Sequence, residues 1–230
     1  MYSMGLEENC SLNDNQTKMF EEYMNLLLEW NQRMNLTAIT EKDEIILKHF
    51  VDSLTISKYI KNYSSLIDIG TGAGFPGIPL KIYDDSLNIV LLDSLNKRVN
   101  FLNEVIIKLK LENIYAIHGR AEEIARYADY REKFDVATSR AVANLSVLLE
   151  YMLPFVKMNG LCICMKGNNV KDELNDAKNA LKILGGSIEK IENINLPDTD
   201  IKRTIVIIKK IRRTDIKYPR NAGIPVKKPL

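Results

Sequence analysis

The sequence predicts an α/β protein, a doubly wound, mostly parallel seven-stranded sheet with an N-terminal helical extension. Three observations carry this. From about residue 66 onward, short apolar runs alternate with amphipathic stretches. The first run ends in a glycine-dense turn, Asp68-Ile-Gly-Thr-Gly-Ala-Gly-Phe-Pro-Gly77, that opens into a second periodic segment. An acid, Asp93, closes the next apolar run about twenty residues later.

The elements follow in order. Met19, Phe20, Tyr23, Leu26, Leu27 and Trp30 fall at helical spacing, so residues 13 to 30 form an amphipathic helix with one face to bury. Thr40-Glu-Lys-Asp43 has the spacing of a capping box and opens a second helix to about Tyr59. After a polar join at Lys61 to Ser65, strands are expected near 66–69, 88–92, 114–118, 134–138 and 160–165. Helices are expected near 78–83, 96–110, 121–127, 144–153 and 169–184. Gly185-Gly186 stops the last helix, and Ser187 to Asn195 and Arg203 to Ile211 read as two closing strands. The chain therefore divides into a helical extension over residues 1–62, a sheet domain over 63–211 and a basic tail over 212–230.

The glycine turn reads as a ligand loop. Gly70, Gly72, Gly74 and Gly77 allow a tight turn and a close approach of backbone to ligand that a Cβ would block. The helix that follows points its N-terminal amides the same way. Asp93, at the end of the second strand, is placed to accept hydrogen bonds from a ribose. Gly72-Ala-Gly-Phe-Pro-Gly77 also matches the dinucleotide fingerprint, so a nicotinamide or flavin nucleotide stays open on the loop alone. Asp68 argues against one, because a carboxylate at the strand end repels a pyrophosphate. Ligands of such sheets bind beyond the carboxyl ends of the strands. Gly119-Arg-Ala-Glu-Glu123, Ser139-Arg-Ala-Val-Ala-Asn144 and Lys166-Gly-Asn168 are therefore expected to converge on one crevice.

Composition narrows the class. The chain has 230 residues, 46% of them hydrophobic, and no uncharged apolar stretch near eighteen residues, which excludes a helical membrane span. Met1 to Cys10 has two Glu and no basic segment, so it is not an export leader. Three scattered cysteines fit a reducing cytoplasm, and Cys162 and Cys164 share one strand face as core residues. No metal-ligand cluster stands out. Net charge is +2, but residues 202–230 hold ten Lys or Arg against one acid, leaving 22 basic and 29 acidic residues elsewhere. Such a split points to a polyanion, most simply nucleic acid, with Arg203, Lys209, Arg212, Arg213 and Arg220 on its phosphates near the crevice. Lys166, at a strand end, is a further phosphate candidate.

Absences restrict the chemistry. The chain has no Pro-Pro and no cysteine in the loops beyond the strands, so the usual amine-methylating loop and a cysteine nucleophile are both missing. An acceptor with a free lone pair needs neither a base nor a covalent intermediate, and its catalysis is mainly positioning.

The acid before the packed GxGxG resembles the first motif of S-adenosylmethionine-dependent methyltransferases, which implies a Rossmann-like class I methyltransferase fold. The likeness then becomes more specific. Trp30-Asn with Asn35-Leu-Thr-Ala-Ile39, His49-Phe-Val-Asp-Ser-Leu54, Asp68 to Leu80, Leu92-Asp-Ser with Lys97-Arg98, Gly119-Arg-Ala-Glu-Glu123, Ser139-Arg-Ala-Val-Ala143, Lys166-Gly167 and Tyr218-Pro-Arg recur in order. Together they resemble the small-subunit ribosomal RNA guanine-N7 methyltransferase G family, also called glucose-inhibited division protein B, over nearly the whole chain. The resemblance implies a bacterial cytoplasmic enzyme, a monomer, that moves a methyl group from S-adenosylmethionine to guanosine N7 in the decoding-region loop of 16S rRNA. Free rRNA, the small subunit and an assembly intermediate are all open as substrate. Carried over by motif, Gly70 and Phe75 line the cofactor, Ala121 and Glu122 lie at the adenine, and Arg140 sits beside both cofactor and target base as the catalytic residue. In the same fold Asp68 lies close to the methionine amino group, and Asp93 holds the ribose with help from Ser94. His49 and Asp52, three apart on one helical face, are expected to bond the extension to the domain. A nicotinamide oxidoreductase and a non-catalytic ribosome-assembly factor with a vestigial loop are the rival readings.

Overall fold

A computed structural model describes residues 12–140, 143–168 and 170–230. The expectation for Met1 to Cys10 lies outside them, as do Ala141 and Val142 of the fourth-strand motif. Helix α1 spans Asp14–Met34. Asn13 accepts from the Gln16 backbone N–H and the Gln16 side chain accepts from the Asn13 N–H, so two orphan donors of the first turn are satisfied together. The helix stops at Asn35, whose left-handed backbone (φ 45°) suits asparagine. The second helical segment, α2, runs through Lys42–Ile45, a π-helical stretch Ile46–Val51 and Asp52–Leu54. Glu41 rather than Thr40 stands at its start and no side chain caps it, so the Thr40 capping box does not form.

Seven strands follow: β1 Ser65–Ile69, β2 Asn88–Asp93, β3 Ile114–His118, β4 Phe134–Arg140, β5 Val156–Lys166, β6 Gly186–Asn195 and β7 Lys202–Lys210. Between them lie α3 Gly77–Tyr83, α4 Asn96–Lys108, α5 Ala121–Ile124, α6 Leu145–Met152, α7 Lys171–Asp176 and α8 Lys178–Leu184, and α9 Ile224–Lys227 lies near the end. The sheet order is β3-β2-β1-β4-β5-β7-β6, parallel except for β7, which runs antiparallel to both neighbours. Strand order reverses between β1 and β4, and the crevice outside their carboxyl ends is where such a sheet takes a ligand. The helix expected over 169–184 is two helices meeting at Ala177, and β5 begins at Val156, ahead of the expected start.

Each face of the sheet buries its own core because side chains alternate along a strand. Leu66 faces the cluster containing Phe20, Leu27, Phe50, Phe75 and Phe101. Ile67 faces the other, with Leu148, Phe155, Cys162, Cys164 and Val206. Helix α1 belongs to the first core: Phe20, Tyr23 and Leu27 are fully buried, each burial stabilising by roughly 1.5–3 kcal/mol. The Tyr23 hydroxyl donates to the Ala73 carbonyl, so the extension directly holds the glycine loop. No helix of the described residues is long and apolar enough to cross a membrane.

Candidate functional site: a crevice at the sheet reversal

Asp68 organises the loop after β1 from below. Its Oδ2 accepts from Thr71 Oγ1 at 2.6 Å and from the Gly77 N–H at 2.9 Å, tying the start of the turn to the start of α3. Gly70 and Thr71 donate to the Leu92 carbonyl, and Gly72 donates to Asp93 Oδ2 at 2.9 Å. Gly70 and Gly72 have φ of 66° and 64°, the left-handed region that favours glycine. A Cβ built on Gly72 meets nothing closer than 4.0 Å, so that face of the backbone is open to a ligand. A Cβ on Gly74 or Gly77 would instead strike Ile78 and Tyr23, or Leu91, so those two glycines serve packing.

The crevice encloses about 960 Å³. Gly70, Gly72, Phe75, Asp93, Ser94, Arg140, Lys166 and Arg203 all line it, together with His49 and Asp52. Asp68 does not reach its surface: it is fully buried, and desolvation pushes its carboxyl up to about 6 against the pull of Thr71, Gly77 and Arg140. Its Oδ1 has no hydrogen-bond partner, the one such buried side-chain atom among the described residues. Asp93, at the end of β2, accepts from Leu95 N–H through Oδ1 and from Gly72 N–H through Oδ2, with Arg98 at 3.4 Å. A carboxylate has about four lone-pair sites, so capacity remains for hydroxyl donors.

The opposite wall comes from α2 and the β4 end. The Arg140 guanidinium donates from Nη1 to Asp52 Oδ2 at 3.2 Å and to the Lys48 carbonyl at 3.1 Å, and from Nη2 to His49 Nδ1 at 3.2 Å. It also lies 4.8 Å over the Phe75 ring, on which His49 stacks at 4.5 Å. Asp52 holds a second cation through Oδ1, the Arg203 Nε at 3.1 Å. Burial and the neighbouring Arg140 push His49 down to about 4, so its ring is neutral at pH 7. His49 and Asp52 thus bond the extension to the domain and also form the crevice wall. Lys166 bonds the Ala143 carbonyl and Glu173 Oε2, and that same Glu173 oxygen accepts from the Leu145 N–H, fastening the β5 end to the start of α6.

The remaining sequence candidates lie elsewhere. Ala121 and Glu122 are buried at the start of α5, outside the crevice lining, and Glu122 accepts from the Gly223 N–H at 3.2 Å. Register places Lys166 opposite Thr204 and Leu161 opposite Lys209. Arg203 is therefore at the crevice end of β7, and Lys209 about 20 Å along the strand at the other end. Arg212 and Arg213 follow at that far end: Arg212 donates to the Lys182 carbonyl and Arg213 lies by Glu132. Arg220 forms a two-oxygen pair with the fully buried Glu150 on α6. Four contributors were not singled out from sequence: Tyr23 behind the loop, Arg98 on Asp93, Glu173 on Lys166, and Thr37, whose hydroxyl lies 2.8 Å from His49 Nε2. Thr37 and Arg98 did stand within the recurring motifs, which was the available signal.

Comparison with known proteins gives this crevice a family. The model of the GidB family, rRNA small subunit methyltransferase G, matches residues 16–204. A ribosomal RNA small subunit methyltransferase G of Alkaliphilus metalliredigens is 50% identical over 99% of this chain and 98% of its own length. That of Acetivibrio thermocellus is 56% identical over 96% of this chain and 91% of its own length. Among solved structures, a SAM-dependent methyltransferase from Aquifex aeolicus aligns with a TM-score of 0.55 at 16% identity, over 73% of this chain and 93% of its own, a likeness of fold. By sequence over nearly its whole length, the chain belongs to the rRNA small subunit methyltransferase G family, and it is an enzyme of that class.

Proposed function

We propose that S-adenosylmethionine lies along the glycine loop with its ribose at Asp93, and that N7 of a guanosine in 16S rRNA is presented to it from the α2 side. The observation that carries this is the open left-handed backbone of Gly72, bonded to Asp93 at the strand reversal. It gives a nucleoside a surface without Cβ beside a carboxylate with acceptor capacity. The buried, unpartnered Asp68 oxygen places negative charge under the same loop, which suits a cationic amino-acid end and repels a pyrophosphate.

S-adenosylmethionine is the cofactor, and it supplies an electrophilic methyl group on a sulfonium. Guanine N7 already carries a free lone pair, so no residue has to remove a proton. The protein's work is alignment and exclusion of water, worth on the order of 7 to 11 kcal/mol at best. Gly70 and Gly72 admit the cofactor closely, and Ser94 lies beside Asp93 at the ribose. Ala121 and Glu122 are buried at the start of α5, outside the crevice lining, so a role at the adenine end rests on the family motif alone. Arg140 spends both Nη1 hydrogens on protein acceptors and one of Nη2 on His49, leaving Nε and the rest of Nη2 for the acceptor base. Asp52, shared with Arg203, offsets part of the Arg140 charge, which lessens the repulsion from a ring that becomes cationic as its N7 is alkylated. Lys166 and Arg203 line the crevice and are assigned to RNA phosphates. The reaction takes place in the bacterial cytoplasm, on free 16S rRNA or an assembling small subunit.

The test is methylation of 16S rRNA and of small subunits with radiolabelled S-adenosylmethionine. Borohydride reduction and aniline cleavage then map 7-methylguanosine. One cleavage in the decoding region is expected. Label that stays at exocyclic nitrogen or at C5, or no label at all, overturns the proposal.

A further inference from the structure

The hydrogen bonds around Thr37 leave one donor with no acceptor in the protein. A guanidinium can only donate, so His49 Nδ1, 3.2 Å from Arg140 Nη2, must be the accepting nitrogen of the ring. The neutral ring therefore carries its proton on Nε2, which faces Thr37 Oγ1 at 2.8 Å and donates to it. The Ile39 backbone N–H donates to the same oxygen at 3.0 Å. Both lone pairs of Oγ1 are thus taken by donors, and the hydroxyl proton is left to be given away. No described residue accepts it. Nor can the segment drift to find a partner: the Asn31 side chain bonds the Thr37 N–H and carbonyl at 2.9 Å each. Thr37 lines the crevice on the α2 side, between Leu36 and Ile39 and beside Arg140.

We infer that the Thr37 hydroxyl is a fixed hydrogen-bond donor that reads the target base, giving its proton to the O6 carbonyl of the guanine. This rests on the proposed function. On the edge that carries N7, guanine presents two acceptors, N7 and O6, whereas adenine presents an amino donor at position 6. A donor next to N7 is therefore satisfied by guanine and opposed by adenine, and the tautomer chain from Arg140 through His49 prevents Thr37 from switching to an acceptor. Arg140 would then act on specificity through His49 as well as by direct contact.

The experiment uses the full chain and one RNA substrate made in two forms, with guanosine or 2-aminopurine at the target position. The second form lacks O6 but keeps N7. Single-turnover rates are compared for wild type, Thr37→Ser, which keeps the hydroxyl, and Thr37→Val and Thr37→Ala, which lose it. Calorimetry with S-adenosylhomocysteine checks that each variant is folded. Wild type and Thr37→Ser should favour guanosine by roughly tenfold, the scale of one lost hydrogen bond with its donor left unpaired. In the hydroxyl-free variants the preference should fall to within about twofold, with cofactor affinity unchanged. Equal rates on the two RNAs with wild type overturn the inference, as does a preference that persists in Thr37→Val or Thr37→Ala. Wild type that leaves guanosine N7 unmethylated fails a different claim, the proposed function itself.

Discussion

Asp52 holds two arginines at the crevice, and Asp52→Asn shows what that arrangement is worth. The carboxylate is 2% exposed and bonds Arg140 at 3.2 Å and Arg203 at 3.1 Å. Asparagine keeps the shape but turns an NH2 group toward one guanidinium, and both cations lose their counter-charge. The two losses are unequal. Arg203 is a quarter exposed, so water replaces much of what it loses, whereas only 14% of the Arg140 side chain is exposed. A charged hydrogen bond contributes about 1.5–3 kcal/mol, and removing one partner of a buried pair costs about 3–5. Arg140 keeps the Lys48 carbonyl, His49 and the Phe75 face, so a value between the two ranges applies, about 2–4 kcal/mol. At about 2–4 °C per kcal/mol for a chain of this size, the melting temperature should fall by roughly 5–15 °C. Single-turnover methylation should slow by tenfold or more as Arg140 loses its anchor. Affinity for S-adenosylhomocysteine should change less than threefold, because the Gly72–Asp93 side is untouched. Urea titration, scanning calorimetry and rapid quench measure all three. A drop under 2 °C together with an unchanged methylation rate would refute the claim that Asp52 sets Arg140.

Three further outcomes are expected. Gly72→Val and Asp93→Ala should each weaken S-adenosylhomocysteine binding at least tenfold by calorimetry, the first by filling the open backbone face and straining a φ of 64°, the second by removing the ribose acceptor; unchanged affinity in both removes the loop from the cofactor site. The second outcome concerns pH. Asp68, raised to about 6, binds its proton more tightly folded than unfolded, so its contribution is lost as pH rises through 6, whereas His49, lowered to about 4, contributes above its unfolded value and loses that as pH falls toward 4. The two slopes oppose each other between about pH 4 and 6 in wild type, so His49→Gln should gain stability on acidification from pH 6.5 to 4.5 relative to wild type, and Asp68→Asn should lose it; identical denaturation profiles would contradict both assignments. Third, neutralising Lys166 and Arg203 should lower the slope of log RNA affinity against log salt by about 0.7 to 0.9 per lost contact, while Arg212→Gln with Arg213→Gln should leave it unchanged; the reverse result would put the RNA at the far end of β7.

What the sequence shows and what it hides divide along the range of the bonds involved. Apolar runs locate all seven strands, because burial on a pleated sheet is written residue by residue. The glycine loop is legible for the same reason: its geometry is set within ten residues of chain, and Asp93 sits where strand length must place it. The capping box at Thr40 fails because local spacing only permits that bond, and the turn into the π-helical stretch starts one residue later. The contacts that build the crevice wall have no local signature. Tyr23 reaches Ala73 across 50 residues, Arg140 reaches Asp52 across 88, and Arg203 reaches Asp52 across 151. Tyr23 reads correctly as one apolar position of an amphipathic helix, and nothing in that pattern tells where its hydroxyl ends.

The basic tail shows how a count of charges differs from a field. Residues 202–230 hold ten cations, yet the fold spends many of them on its own acceptors. Lys210 is fully buried against Glu132 and the Leu153 carbonyl, Arg212 caps carbonyls of α8, and Arg220 neutralises the buried Glu150. Arg131, from the body, donates to the carbonyls of Thr214, Asp215 and Tyr218, and Arg126 to that of Pro219. The segment is thus bound as a strap that leaves the far end of β7, crosses α6 and reaches Glu122 through the Gly223 N–H. Pairing alone does not decide which cations meet a phosphate, because Arg203 is itself held by Asp52 and Lys166 by Glu173. Position separates them: Arg203 and Lys166 line the crevice, whereas Lys209, Arg212 and Arg213 lie at the far end of β7, and it is the crevice pair that we expect to meet RNA.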